Sequence, residues 1–173
     1  IAANAYVGAQ GWRLYYGDAE AHLNIGRRVL DSRTPNGEQF GTVWLPSLHA
    51  LMQPLVTRDD LWRSGLAGAL VASACFVIGC WVLYLTFRRV FQSEAAGWTA
   101  ALVPALNPNL LYLQATPMTE AVFLAGFAVL LYGLVVAEQE QNWMGIGIAA
   151  AGSLLASLTR YEGWFLIPFA ALV

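Results

Sequence analysis

The sequence has no lysine, so all nine of its basic residues are arginines, and only 12% of its 173 residues are charged. Soluble domains carry roughly a quarter charged residues. The two cysteines, Cys75 and Cys80, lie inside an apolar run and indicate neither a disulfide framework nor a metal pair. A net charge of −2 gives no basic footprint, so we expect no nucleic-acid partner. With 58% hydrophobic residues, this is the composition of a membrane protein.

Long apolar runs fill the chain after residue 63. A membrane-spanning helix needs about 20 mostly apolar residues. Because prolines divide the second run, we expect that span to be kinked. If one short run is re-entrant, the chain has three spans and hairpins. Otherwise it has four spans and a truncated fifth, at about 64–87, 95–113, 120–137, 143–158 and 164–173. The sequence therefore predicts an all-α fold, a polytopic bundle of transmembrane helices.

The first 63 residues differ from the rest. They hold six of the nine arginines and six of the eleven acids. Within them, the stretch "VWLPSLHALMQPLV" has apolar residues at helical spacing and predicts an amphipathic helix lying in the membrane interface. We interpret 1–63 as a long loop and 64–173 as the transmembrane part. Because the chain starts at Ile1 and stops at Val173 within an apolar run, we expect it to be a fragment of a longer protein, inactive on its own.

Three short polar motifs fall on one side of the predicted spans. Arginines flank both ends of the first span, so the positive-inside rule gives a tie for orientation. Alternation of the spans nevertheless puts "GDAEAH", "TPMTE" and "TRYEG" on a common face. Ionisable groups at membrane depth are costly unless they face a cavity or a partner. We therefore expect these motifs to surround one pocket. The candidate residues are Asp18, Glu20, His22, Glu120, Arg160, Tyr161 and Glu162.

Each motif also has a structural interpretation. Asp18 follows Gly17 and suits the N-cap of a helix over residues 19–30. If residues 18–22 are helical, Asp18 and His22 share a face and Glu20 points away; if they are extended, all three share one side. Both geometries stay open.

The other candidates have equally ordinary interpretations. Glu120 suits a helix N-terminus, and Arg160 suits an ion pair with Glu162. Arg27 and Arg28 either bind a phosphate or solvate a helix face. His22 and His49 stand in no metal-ligand spacing.

Taken together, "GDAEAHLNIGRRVLDSRTPNGEQFGTVWLPSLHALMQPLV", "NPNLLYLQATPMTE" and "LTRYEGW" resemble the amino-terminal half of bacterial membrane glycosyltransferases of the GT-C superfamily. These are relatives of protein O-mannosyltransferases and of the lipid A aminoarabinose transferase. The resemblance implies a multi-pass protein of the bacterial plasma membrane, whose long first loop and active face lie outside the cytoplasm. It implies an acidic residue of that loop at the reaction centre, here Asp18, and a second acidic motif, here Glu120. Some relatives have adjacent Asp and Glu where Ala19 separates Asp18 from Glu20.

The resemblance also implies a chemistry. The donor is a sugar on a polyprenyl phosphate, and the acceptor is a hydroxyl of a protein, a glycan or a lipid, with membrane lipids around the site. Asp18 is the candidate base for the acceptor hydroxyl. The candidate cations for the leaving phosphate are Arg160 and, as weaker candidates, Arg27 and Arg28. Glu120 binds sugar hydroxyls, orients the acceptor or helps to hold a divalent metal. No metal-ligand set is evident.

Two other functions stay open. In a transporter or channel, the same acids and Arg160 would line a substrate path, although the polar residues concentrate on one face and the middles of the spans hold small or apolar residues. In a non-catalytic membrane subunit, they would bind a lipid or a partner.

Overall fold

The computed structural model describes residues 2–41 and 43–172, and these residues form helices and connecting turns without any strand. The helices divide into two compact units. The first unit contains the chain up to Ala74 together with Pro108–Ala121, and the second contains Cys75–Asn107 and the chain from Val122 onwards. The predicted all-α class is confirmed for the described residues.

The first unit is built from short helices. Helix α1 covers Ala2–Ala9, α2 Gly17–Asp31, α3 Ser47–Val56 and α4 Asp59–Arg63, and α7 covers Pro108–Leu113. Short 3-10 turns at Trp12–Leu14 and Gly37–Gln39 connect them. The unit also holds the first residues of α5, which covers Leu66–Phe91.

Helices α2 and α3 pack against each other and form the core of the first unit. The side chains of Leu23 in α2 and of Leu48, Met52 and Val56 in α3 are fully buried or nearly so. At the contact, a Cβ on Gly26 would lie 2.9 Å from the methyl carbon of Met52, so the missing side chain lets the helices approach. The stretch predicted to lie in the membrane interface is indeed helical. Its most buried side chains, however, face α2, while Leu51 is exposed.

The second unit is built from longer and more apolar helices. It contains most of α5 and, in chain order, α6 over Glu94–Ala105, α8 over Glu120–Glu140 except for its first two residues, α9 over Trp143–Ser157 and α10 over Glu162–Ala170. Small residues bring α8 and α9 together: a Cβ on Gly133 would lie 2.2 Å from the Ala149 backbone nitrogen, and one on Gly152 2.3 Å from that of Leu130. This is the close backbone packing that membrane helices achieve with glycine and alanine.

Two helices, α5 with 26 residues and α8 with 21, are long and apolar enough to cross a membrane. Helix α9 is apolar but shorter, at 15 residues. The predicted second span, 95–113, is divided into α6 and α7, with the break at Leu106 and Asn107. Proline disfavours helical geometry in the residue that precedes it, so Pro108 accounts for a break before residue 108. The full set of predicted spans stays a prediction.

Candidate functional site

The first turn of α2 carries the acids of the "GDAEAH" motif. The helix begins at Gly17, so Asp18 lies inside the first turn, and no side chain caps the helix. Asp18 and Glu20 are exposed, whereas Ala19 and His22 are buried. The helical alternative is therefore the observed one, and two acids two positions apart point in different directions, about 200° around the axis. Negative charge here is favoured by the helix dipole.

The two histidines of the chain form a buried pair. His22 Nδ1 lies 2.8 Å from His49 Nε2, and the rings belong to the contacting helices α2 and α3. The Trp44 ring lies beside His22, with 5.0 Å between ring centroids. The exposed fraction is 1% for His22 and 0% for His49. A bond between two ring nitrogens requires one to donate and the other to accept, so the pair excludes protonation of both imidazoles.

The surroundings of His49 keep it neutral. Burial, then the neighbouring His22 and then Arg28 lower the pKa of His49 to about 3. No motif in the sequence predicts this pair, because the residues are 27 positions apart and come together only through the packing of α2 on α3. The helical spacing of apolar residues in both segments is the one signal that could have brought them together.

Arg27 holds the first unit together. Its guanidinium pairs with Asp31, pairs with Asp59 at 2.8 Å and donates to the Val56 carbonyl at 2.7 Å. It also lies over the Trp62 ring, 4.9 Å from the centroid. With these partners in α2, α3 and α4, the donors of Arg27 are already used.

Arg28 is less engaged than its neighbour. Its Nη2 reaches the carbonyls of Gln39 and Gly41 at 3.4 Å each, and its buried Nε has no acceptor among the described residues. Ten residues of helix separate Arg28 from Asp18, which is about 15 Å along the axis. Arg28 therefore lies far from the first turn of α2.

Glu120 is the first residue of α8 and is half-buried. The preceding segment is fixed in the first unit, because Pro117 is buried and packs against Gly68, where an added Cβ would lie 2.5 Å from the Pro117 Cβ. Thr116 donates its hydroxyl to the Leu113 carbonyl at 2.7 Å and so serves the preceding turn rather than capping α8. The first unit thus contains both Asp18 and Glu120.

The "TRYEG" motif lies in the second unit, at the start of α10. Arg160 pairs with Glu162 at 2.9 Å, and this pairing lowers the pKa of the Glu162 carboxyl. The Tyr161 ring stands edge-on to Trp164, with centroids 5.2 Å apart. Gly163 packs directly on the backbone of Ala156, which fixes the turn. Arg160 and Glu162 therefore have the ion pair that their spacing allowed.

Metal ligands do not cluster in the part of the chain that the structure describes: no group of three or more His, Cys, Asp or Glu residues could hold an ion there. The described residues therefore offer no set of ligands for the divalent metal that the sequence analysis considered.

The profile of the dolichyl-phosphate-mannose-protein mannosyltransferase family matches residues 49–173, well over half of the chain. Comparison with curated proteins and with solved structures gives no match. The matched region includes Glu120 and Arg160 but starts after α2, so Asp18 lies outside it.

Proposed function

The chain belongs to the dolichyl-phosphate-mannose-protein mannosyltransferase family. From that premise we propose that it transfers a sugar from a polyprenyl-phosphate donor to an acceptor hydroxyl, at the extracytoplasmic surface of the plasma membrane. Membership makes the chain part of a glycosyltransferase of the GT-C type, with membrane helices α5 and α8. The donor, the acceptor hydroxyl and the active face are our proposal.

Asp18 is the proposed base. The observation that carries this role is its exposed carboxylate in the first turn of α2, in the compact unit that also contains Glu120. An exposed carboxylate can accept the proton of an acceptor hydroxyl as that oxygen attacks the anomeric carbon. Glu20 points to another side of the helix, so its proposed role is to bind substrate hydroxyls rather than to share the proton.

The remaining candidate residues differ in the partners that they contact. Arg27 is occupied by two carboxylates, and Arg28 lies about 15 Å along α2 from Asp18. Arg160, which pairs with Glu162 and lies in the family-matched region, is our proposed cation for the leaving lipid phosphate, with Tyr161 and Glu162 as its neighbours in the substrate site. His22 supports the site from the core through its bond to His49. Glu120 is proposed to orient the acceptor or the sugar.

Substitution of Asp18 by asparagine in the full-length protein tests the proposal. We expect Asp18→Asn to lower sugar transfer from a labelled polyprenyl-phosphate donor by about 10²- to 10⁴-fold, the usual contribution of a general base. Glu38→Gln is the matched control, since Glu38 is an exposed acid of the same loop and lies in a 3-10 turn that contacts α2 near Arg28, at the other end of the helix from Asp18. Transfer by Asp18→Asn at the rate of the control would overturn the role of Asp18.

The same labelled donor separates the other two functions. Release of sugar to an acceptor identifies a transferase, whereas passage of the intact donor across a vesicle membrane identifies a transporter. Binding of the donor with neither outcome identifies a non-catalytic subunit. The last two results would contradict the proposed function.

A further inference from the structure

A cavity lined by aromatic rings lies just ahead of α2, within the first unit. Its volume is about 380 Å³, and it is lined by Trp12, Tyr15, Tyr16 and Tyr112. Three of these residues come from the turn before α2, and Tyr112 comes from α7. Ligand sites commonly have volumes of about 300–1,000 Å³. The cavity is therefore large enough for a small ligand or one ring of a larger one.

Contacts with the backbone hold the walls in place. The Tyr112 hydroxyl donates to the Trp12 carbonyl at 3.0 Å, and the Tyr16 and Tyr112 rings lie 6.0 Å apart. Arg13 anchors the same turn to α1 by donating to the Asn4 backbone carbonyl at 3.1 Å and to its Oδ1 at 2.7 Å. The Tyr112 wall and the turn at Trp12 are thus held in place before a ligand binds, which lowers the entropy cost of binding.

The lining indicates which ligand fits. It contains neither an aliphatic side chain that would suit an acyl chain nor a cation that would suit a phosphate. Exposed fractions of 42% for Trp12, 78% for Tyr15 and 51% for Tyr16 leave rings and polar tips accessible. Aromatic residues with one apolar body and one polar tip suit a ligand that is apolar on its faces and polar at its rim.

A sugar ring has this chemistry, with C–H groups on its faces and hydroxyls at its edge. We propose that the cavity of Trp12, Tyr15, Tyr16 and Tyr112 binds one pyranose ring. A belt of Trp and Tyr at the membrane surface would also be exposed. A belt does not account for four rings around one cavity, or for a Tyr112 hydroxyl bonded to backbone rather than turned to headgroups.

This inference rests on the proposed function, because Asp18 follows Tyr16 by two residues and lies in the turn of α2 that starts beside the cavity. Asp18 does not itself line the cavity, so the link between the cavity and the proposed base is this short stretch of chain. The ring belongs either to the donor sugar or to a glycan acceptor, and both have the same chemistry.

The binding test uses methyl α-mannopyranoside as the probe and saturation-transfer NMR on the full-length protein in lipid nanodiscs. We expect transfer from protein to sugar protons in the wild type and roughly a tenfold loss of affinity in Tyr15→Ala and Tyr16→Ala. Because Tyr15 is 78% exposed, its truncation leaves the fold intact. Trp143→Ala is the matched control, since Trp143 is 86% exposed and does not line the cavity. Equal signals in Tyr15→Ala, Tyr16→Ala and wild type would overturn the proposal.

Kinetics of the same variants identify the source of the ring. A raised KM for the donor assigns the cavity to the donor sugar, and a raised KM for a glycan acceptor assigns it to the acceptor. Unchanged KM for both would contradict the proposal. Asp18→Asn should keep the NMR signal while losing transfer, so failure of the cavity and failure of the proposed base are separate results.

Discussion

Both units have apolar packing and close glycine contacts, but the polar contacts between their helices differ. In the first unit, long polar side chains connect short helices, as Arg27 does with Asp31, Asp59 and the Val56 carbonyl. In the second, α8 and α9 meet where side chains are missing, at Gly133 and Gly152. Apolar side chains are as stable in contact with lipid as in contact with another helix, so membrane helices associate through close backbone contact. Exposed polar side chains can both stabilise a fold and take part in chemistry, and the candidate base Asp18 lies in the first unit.

The largest effect should come from filling a backbone contact of the second unit. Gly133→Val places a Cβ about 2.2 Å from the Ala149 nitrogen, closer than any real contact. We expect α8 and α9 to separate, at a cost of about 3 kcal/mol or more. Gly147→Val is the control, since a Cβ on Gly147 meets nothing within 4 Å. Thermal unfolding in detergent micelles measures both, and equal midpoints for the two variants would contradict tight packing at Gly133.

Breaking the histidine pair should be the next largest effect. His22→Phe leaves the buried His49 Nε2 without its partner at 2.8 Å, which should destabilise the first unit by about 1–3 kcal/mol. Adding His49→Leu removes the orphaned group and should recover part of that loss. The double-mutant cycle isolates the coupling between the two rings, and strict additivity would show that they do not stabilise each other.

That pair also shows where prediction from sequence stops. Long apolar runs indicated the all-α class, and apolar residues at helical spacing indicated a helix within residues 43–56, observed at Ser47–Val56, because both depend on local pattern. The contact of His22 with His49 depends on how two helices pack, which local pattern does not specify. The prolines of the second run predicted a kink, and the structure has a full break at Leu106 and Asn107, because Pro108 disfavours helical geometry in the residue before it.

Prediction of the candidate site from the sequence has the same limit. An i to i+4 pattern put Asp18 and His22 on related positions but left helix and extended chain open. Arg27 and Arg28 looked equivalent in sequence, yet one is paired with two carboxylates and the other reaches only carbonyls. The cavity of Trp12, Tyr15, Tyr16 and Tyr112 had no sequence signal, since one of its walls comes from a residue about a hundred positions away.

As the pH falls, the first unit should lose stability at a higher pH than the second, because both histidines lie in the first unit. The folded pKa of His49 is about 3, below the usual 6.5, so between these values the unfolded chain binds a proton that the folded chain does not. Stability therefore falls as the pH drops below 6.5, by about 1 kcal/mol at pH 5.5. Hydrogen exchange should show faster opening of α2 and α3 at pH 5.5 than at pH 7. In the double variant with His22→Phe and His49→Leu this pH dependence should vanish, and its persistence would assign it to other groups.

The smallest effect should come from an exposed ion pair of the first unit. Arg58 and Asp60 pair at 2.8 Å, but their side chains are 67% and 63% exposed. Water and salt screen such a pair, and holding two mobile side chains together costs entropy. Arg58→Gln should therefore leave the thermal midpoint unchanged, unlike Arg27→Gln, which removes a guanidinium that contacts α2, α3 and α4 and is only 17% exposed. If Arg58→Gln and Arg27→Gln lowered the thermal midpoint equally, the burial of a guanidinium would not determine how much its contacts stabilise the first unit.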